Sequence, residues 1–293
     1  MTQGRVPADV CNRRQLHSSM RTARFLHLVA RGGDAAGHPE NTLPAFQSAL
    51  DLGVRFVEVD VQLSSNGVPM AVRGEDVMVE GMLLSIGTLT AAELALVDAS
   101  EAHRFGQRFA GTCIPRLVDV LSLITKRPET TVFVNLCRTT LARFGADLVV
   151  AQVAESLKPF RSRCIVVSSD LPAVLRTRRM TGLPIGWEIP AYDGHTRLKY
   201  EALQPEYLFC DVSVLPPNTA LWRGPWRWAV RATATIDEAL ALAPRGVEFI
   251  STRDPRPLGE AMRMHAAAQA RMHDVTIASD ASTVVRPETL LMR

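Results

Sequence analysis

Short apolar runs alternate along the chain with polar stretches that carry helix signals. The first run, Phe25-Leu26-His27-Leu28-Val29-Ala30, stops at Arg31-Gly32-Gly33 and is too short for a buried helix, so it predicts a buried strand. Pro39-Glu40-Asn41-Thr42 then precedes Leu43, Phe46 and Leu50, which share one helical face; Asn41 or Thr42 is the expected cap and Gly53 the stop. Phe56 to Val61 is the next strand. Asn66-Gly67 follows too soon for a parallel crossover of about a dozen residues, so the run from Pro69 to Arg73 predicts an antiparallel return whose tip approaches Glu58 and Asp60. Strand-like runs recur at Thr131 to Leu136, Arg163 to Ser168, Pro184 to Glu188, Tyr207 to Asp211, Trp226 to Arg231 and Val247 to Ser251. Between them lie helix starts, among them the capping-box patterns at Thr90 to Glu93 and Thr235 to Glu238, and Asp170 with Pro172. With the hairpin arm set aside, the strands number eight, which predicts a (β/α)8 barrel rather than a doubly wound sheet.

The expected organisation is a loose leader over residues 1–23, a barrel over 24–270 and a tail over 271–293. An excursion over residues 74–115 is expected to cover the catalytic face. The 293 residues carry 33 Lys+Arg against 30 Asp+Glu, a net charge of +3 that is too small to imply a nucleic-acid partner. Only Lys126, Lys158 and Lys199 are lysines, a skew that reads as codon composition. Five scattered cysteines (Cys11, Cys113, Cys137, Cys164, Cys210) form no C-x-x-C pair, so neither a disulfide framework nor a zinc ribbon is indicated. No apolar stretch approaches the roughly 18 residues of a transmembrane segment, and a cytoplasmic, reducing location is expected. Dinucleotide, P-loop and zincin patterns are missing.

Four groups of residues carry a more specific message: Ala30-Arg31-Gly32, Pro39-Glu40-Asn41-Thr42, Glu58-Val59-Asp60, and Gly67-Val68-Pro69-Met70-Ala71-Val72. Their order and spacing resemble the glycerophosphodiester phosphodiesterase family, which carries H-R-G, P-E-N-T, E-x-D and G-x-P-V-V-x-H-D. The likeness continues through Ile114-Pro115-Arg116-Leu117 and Gly246 to Thr252, and covers about residues 25–258. The resemblance implies a TIM barrel acting as a phosphoric diester hydrolase on glycerophosphodiesters of lipid metabolism, with a calcium or magnesium ion. It implies two histidines as acid and base, in H-R-G and H-D, with the E-x-D carboxylates and a glutamate on the next barrel strand holding the metal. The H-R-G arginine, here Arg31, is implied to contact phosphate.

The chain departs from that pattern where the chemistry is done. Ala30 stands at the H-R-G histidine and Arg73 at the H-D histidine, and an arginine that stays protonated near neutral pH cannot act as a base. Asn135 replaces the third metal carboxylate, followed two residues later by Cys137 in place of a lysine. An amide oxygen can still coordinate a hard cation, but with one negative charge fewer the affinity falls, so Asn135 is a weak ligand and the divalent cation is expected to bind weakly.

Glu58 and Asp60 point to one side of their strand near its C-terminal end. Either they hold a metal or they pair with arginines such as Arg31 or Arg73, and Arg73 could itself take part of the metal's place. Arg31 either binds phosphate or pairs with Glu40 as a structural partner. His38, in the first catalytic-face loop, is either an ordinary solvated loop histidine or the candidate substitute acid or base; His27, three residues before Ala30, is expected to face away from it and pack. Glu75, Asp76, Glu188 and Asp211 are further acidic candidates, Trp187 and Trp228 are expected to pack in the core, with a pocket wall as the alternative, and Cys137 is a buried thiol rather than a nucleophile.

The expectation is therefore a catalytically impaired family barrel that binds a glycerophosphodiester, another phosphate metabolite or a protein partner. The alternative is an active metal-dependent phosphodiesterase with relocated acid and base groups. The aromatic segment Trp222 to Trp228 has stacking chemistry, yet no wider basic run accompanies it.

Overall fold

A computed structural model describes residues 26–231 and 235–282. In chain order the elements are β1 (His27–Arg31), α1 (Leu43–Asp51), β2 (Phe56–Leu63), β3 (Pro69–Ala71), β4 (Asp76–Val79), β5 (Met82–Ser85), α2 (Ala91–Leu94) and α3 (Ala102–Phe105). Then come α4 (Leu117–Ile124), β6 (Thr131–Leu136), α5 (Arg138–Phe144), α6 (Ala146–Leu157), β7 (Cys164–Ser168), α7 (Leu171–Thr181) and β8 (Ile185–Glu188). The chain continues with α8 (Gly194–Leu203), β9 (Tyr207–Asp211), β10 (Arg227–Arg231), α9 (Ile236–Leu242), β11 (Val247–Thr252) and α10 (Pro255–Ser282).

The eight parallel strands run β1-β2-β6-β7-β8-β9-β10-β11 and close, because β1 pairs with β2 on one side and β11 on the other; Ala30 lies opposite both Val57 and Thr252. The expected barrel is the observed one. β3 returns antiparallel along β2, Val61 opposite Ala71, as the Asn66-Gly67 turn requires. The leader expected over 1–23 lies outside the described residues, and α10 runs through the expected boundary at 270 to Ser282.

Strand alternation sorts the core into two layers. Outward residues such as Val57, Val59, Val61, Val132, Val134 and Leu136 pack against Phe46, Leu50, Leu117 and Leu121 of α1 and α4. Inward residues Val29, Phe133, Ile165, Val167, Phe209, Ala229 and Phe249 fill the barrel. The ring of Phe133 meets Tyr207, Phe209 and Phe249 edge-on at centroid distances of 5.1, 5.1 and 6.0 Å, the geometry that aromatic quadrupoles favour. Gly186 makes room for this plug, since a Cβ there would stand 3.0 Å from both the Phe209 ring and Val167. The barrel floor is therefore closed by hydrocarbon, and polar chemistry is confined to the C-terminal ends of the strands.

Residues 74–115 do lie across that end, but they contain an ordered hairpin, β4-β5, turned at Glu80-Gly81 with both residues at positive φ. Beneath it Met70, Ile86, Leu94, Val97 and Ile114 form a satellite core. Thr90 and Glu93 complete the capping box reciprocally, and Asp170 and Thr235 cap α7 and α9. The excursion is clasped to the β1–α1 loop: Glu101 accepts the backbone N–H of Glu40 at 2.7 Å, and Arg104 donates to the carbonyl of Ala35 at 2.8 Å.

Because Phe133 is fully buried at the centre of the inward aromatic contacts, Phe133→Ala is expected to cost about 3–5 kcal/mol of stability. Urea denaturation followed by far-UV circular dichroism checks this; a loss below about 1 kcal/mol would mean that the plug does not hold the barrel.

Candidate functional site

Inward alternation on eight strands brings a polar layer together above the aromatic plug. Arg31 lies in register with Glu58, and Asp60 in register with Asn135, so β1, β2 and β6 contribute three charges and an amide to one rim. Glu188, Arg231 and Ser251 reach the same layer from β8, β10 and β11.

The centre of the layer is a buried ion pair. Glu58 is wholly buried, and its Oε1 accepts from Arg231 at 2.7 Å while its Oε2 accepts from the Ser251 hydroxyl at 3.0 Å. The other terminal nitrogen of Arg231 donates to Glu188, so one guanidinium bridges two carboxylates. Burial, the largest single influence on Glu58, pushes its pKa up, but Arg231, Arg31 and the Ser251 hydroxyl outweigh it and hold the carboxyl below the usual range. Burial likewise works against the charge on Arg231, and Glu58 and Glu188 more than offset it, so its pKa is raised.

Asp60 sits beside this pair with both oxygens engaged. Asn135 donates to Oδ1 at 2.7 Å and Asn41 donates to Oδ2 at 3.1 Å, while the Asn41 side-chain carbonyl accepts the Asp60 backbone N–H at 3.0 Å. That reciprocal pair corrects the expectation that Asn41 caps α1: it adopts a left-handed conformation (φ 58°) and turns into the site. Thr42 holds the cap position without a capping hydrogen bond and donates instead to the Pro39 carbonyl at 2.6 Å.

Arg31 has a buried Nε with no hydrogen-bond partner among the described residues, and burial, its largest influence, lowers its pKa against the raising effect of Glu58. The expected pairing of Arg31 with Glu40 does not occur. Strand alternation turns Arg31 inward with Glu58, whereas Glu40 lies on the rim, over Gly32; a Cβ on Gly32, whose φ is +68°, would come within 2.5 Å of the Glu40 side chain. Glu40 pairs with Arg253 and, at 3.4 Å, with Arg73. Arg73 therefore guards the rim and does not sit between Glu58 and Asp60; the cation at Glu58 is Arg231, from the far side of the barrel.

Other expectations are relocated. Ala30 is fully buried with Phe46 and Leu50 in the helix-facing layer, because it alternates with Arg31. His27 does face the opposite way, which is into the barrel, where it packs 5.1 Å from the Phe56 ring and 5.2 Å from that of Phe249. His38 is the clearest correction. Its Nδ1 lies 3.3 Å from Asp34, its ring packs 5.0 Å from Phe109, and it lines a cavity on the outside of α1 with Ser48, Leu52 and Arg256. That position puts it among none of the contacts of Glu58 or Asp60.

Glu75 and Asp76 border a cavity of about 450 Å³ beside the mouth, with Gln62, Thr139 and Arg143. Gln62 separates them from the polar layer by donating to the carbonyls of Arg73 (3.3 Å) and Gly74 and accepting from Thr139 at 2.8 Å. Asp211 is occupied with Ser213, whose N–H and hydroxyl donate to it at 2.9 and 2.6 Å. Trp187 and Trp228 lie in the outer core, not in a pocket wall. The aromatic segment is also turned inward: Trp222 stacks on Tyr192 at 3.6 Å, and the indole N–H groups of Trp226 and Trp228 donate to the Trp222 carbonyl at 3.2 and 3.0 Å. Burial, with Asp60 next, pushes the Cys137 thiol far up, consistent with an inert thiol.

A divalent cation of the kind the sequence resemblance implies needs six or more oxygen lone pairs converging on it. The residues present do not fit one. Both oxygens of Glu58 and both of Asp60 already face N–H or O–H donors, Asn135 presents its NH2 to Asp60, and a guanidinium stands against Glu58 and Glu188. Among the described residues no group of three or more His, Cys, Asp or Glu is arranged to hold a metal ion.

Since Glu58 is held ionised by its partners, the stabilisation it brings is complete above the unfolded carboxylate value of about 4.3 and is lost as pH falls through the lower folded value. Glu58→Gln removes that titration. In acid denaturation the wild-type midpoint is expected to fall more steeply below about pH 4 than that of the variant; parallel curves would show that the pair adds nothing to the ionised state.

Comparison with known proteins follows the same outline. The pattern of the glycerophosphoryl diester phosphodiesterase family matches residues 31–186. A glycerophosphodiester phosphodiesterase of Caldanaerobacter subterraneus subsp. tengcongensis is 37% identical over 101 residues, 33% of this chain and 40% of that protein. One from Bacillus altitudinis is 30% identical over 135 residues, 46% of this chain and 53% of that protein. The matches thus span about half or less of these curated relatives. Among solved structures, an Oleispira antarctica phosphodiesterase in complex with the product sn-glycerol-3-phosphate superposes with a TM-score of 0.71 at 20% identity, over 83% of this chain and 99% of that one. A glycerophosphodiester phosphodiesterase from Parabacteroides distasonis gives a TM-score of 0.68 at 18% identity, over 83% and 98% of the two chains. At such identities the likeness is one of fold.

Proposed function

This chain belongs to the glycerophosphoryl diester phosphodiesterase family, and we propose that it keeps the family barrel as a binding site for a phosphate-bearing metabolite while lacking the groups for metal-assisted hydrolysis. One observation carries this reading. Among the described residues no histidine is a hydrogen-bond or ion-pair partner of Glu58, Asp60 or Arg231, whose contacts are with arginine, amide, hydroxyl and carboxylate groups.

Diester hydrolysis needs a base to take a proton from water and an acid to give one to the departing alkoxide. Guanidinium groups do neither near neutral pH. The Glu58 carboxylate is committed to Arg231 and Ser251, Asp60 to two amides, and Glu188 to Arg231, so none is poised to pass a proton. Binding is a different matter. Arg31 stands in the polar layer with a buried Nε that has no hydrogen-bond partner among the described residues, and a phosphate monoester or diester supplies the charged acceptors that a guanidinium prefers. The glycerol phosphate held by the Oleispira antarctica protein supports this class of ligand.

A cytoplasmic address belongs to the same reading: Cys113, Cys137, Cys164 and Cys210 are free thiols, as a reducing compartment allows, and no helix among the described residues is long and apolar enough to cross a membrane.

The test has two arms. With glycerophosphocholine and glycerophosphoethanolamine, with and without added calcium or magnesium, wild-type protein is expected to show no turnover above that of Glu58→Ala. Hydrolysis that this substitution abolishes would overturn the proposal. Calorimetric titration with glycerol-3-phosphate is expected to show binding that Arg31→Ala weakens about 10- to 100-fold, the scale of one lost charge-assisted contact. Equal binding by both proteins would remove Arg31 from the site.

A further inference from the structure

The misfit between this mouth and a divalent ion has a specific cause. We infer that Arg231 is the resident cation of the barrel: its guanidinium takes the electrostatic place of a metal ion, bridges Glu58 and Glu188, and excludes calcium and magnesium from the site. This goes beyond the phosphate-binding reading and stands or falls apart from it, since it concerns what neutralises the carboxylates and not what Arg31 holds.

The geometry makes the case. Glu58 is fully buried in the barrel, and a buried carboxylate without a partner is too costly to persist as an anion. Two strands away from each other in the sheet order, β8 and β10 deliver Glu188 and Arg231, and the two terminal nitrogens of Arg231 divide between Glu188 and Glu58. Ser251 fills the second oxygen of Glu58, and the Asn41 and Asn135 amides fill both oxygens of Asp60. Each of these five carboxylate contacts is made by an N–H or O–H group pointing at the oxygen, so an ion approaching these oxygens would meet donor hydrogens. Arg231 is only 12% exposed and cannot swing away into solvent without leaving Glu58 unpaired. A tethered cation is present at every moment, whereas a free one must displace it, so the built-in charge wins at any ordinary ion concentration.

Asn135 fits the same logic. A carboxylate at 135 would set a second anion against Asp60, while an amide satisfies Asp60 as a donor. The inference therefore accounts for two residues at once, Arg231 and Asn135.

The test compares ion binding by wild type and by Arg231→Met, which keeps much of the side-chain volume without the charge. Terbium luminescence and thermal melts in millimolar CaCl2 or MgCl2 are the readouts. Wild type is expected to bind no ion at this site: no melting shift beyond that of KCl at equal ionic strength, and no terbium signal that Glu58→Gln removes. Arg231→Met is expected to gain a terbium signal and a calcium-dependent rise in melting temperature of about 5 °C, both lost when Glu58→Gln is added. Ion binding by wild type that Glu58→Gln abolishes overturns the inference, and so does a folded Arg231→Met that gains nothing. If Arg231→Met is recovered unfolded, near-UV circular dichroism after refolding in CaCl2 decides: recovery specific to calcium supports the inference, and none overturns it.

Discussion

A carboxylate sealed in the throat of a barrel must be neutralised, and much of the polar architecture of this protein follows from how Glu58 meets that requirement. The aromatic plug formed around Phe133, Phe209 and Phe249 closes the space below it, so no solvent-filled floor screens the charge. Neutralisation therefore comes from above and from the sides, through Arg231 and Ser251. Once a guanidinium lies there, Glu188 is drawn into the same bridge, and Asp60 is left to find uncharged donors in Asn41 and Asn135. The layer reads as a connected set of pairings in which each member limits the choices of the next.

In a barrel of this kind, fold and site chemistry rest largely on different residues. Closure of the barrel depends on outward valines and leucines meeting the helices and on inward rings filling the lumen, with the polar layer resting on them where the Arg231 guanidinium lies 5.9 Å over the Phe209 ring. The chemistry of the site rests on the polar residues at the strand ends and not on the apolar residues that close the barrel. That separation lets a chain share its barrel with glycerophosphodiester phosphodiesterases while its mouth carries the Arg231 bridge between Glu58 and Glu188.

Much of the barrel was legible in the sequence, for a physical reason: strands buried on both faces are continuous apolar runs, and runs such as Thr131 to Leu136 and Tyr207 to Asp211 coincide with β6 and β9 to the residue. The hairpin β4-β5 was harder to read. Met78, Met82 and Leu83 are exposed, so the pattern lacks the burial that marks a strand, and only Glu80-Gly81 signals its turn. At the site, Glu58 and Asp60 were readable because i and i+2 on a strand share a face. Arg231 was not, although it ends a readable strand: its bond to Glu58 spans 173 positions, and no local rule says which of 30 arginines will close such a distance. Asn41 was misjudged because a residue before a helix ordinarily caps it, and here the demand of a buried aspartate prevailed over the helix end. His38 was misplaced because loop membership alone does not reveal which way a loop folds.

The close fit of Gly186 beneath Phe209 has an evolutionary corollary. The two positions share one packet of volume, so a lineage cannot enlarge the first without shrinking the second. Each single step passes through a clash or a void, and both are costly in a lumen this full. Change at the barrel floor is therefore expected to come in compensating pairs.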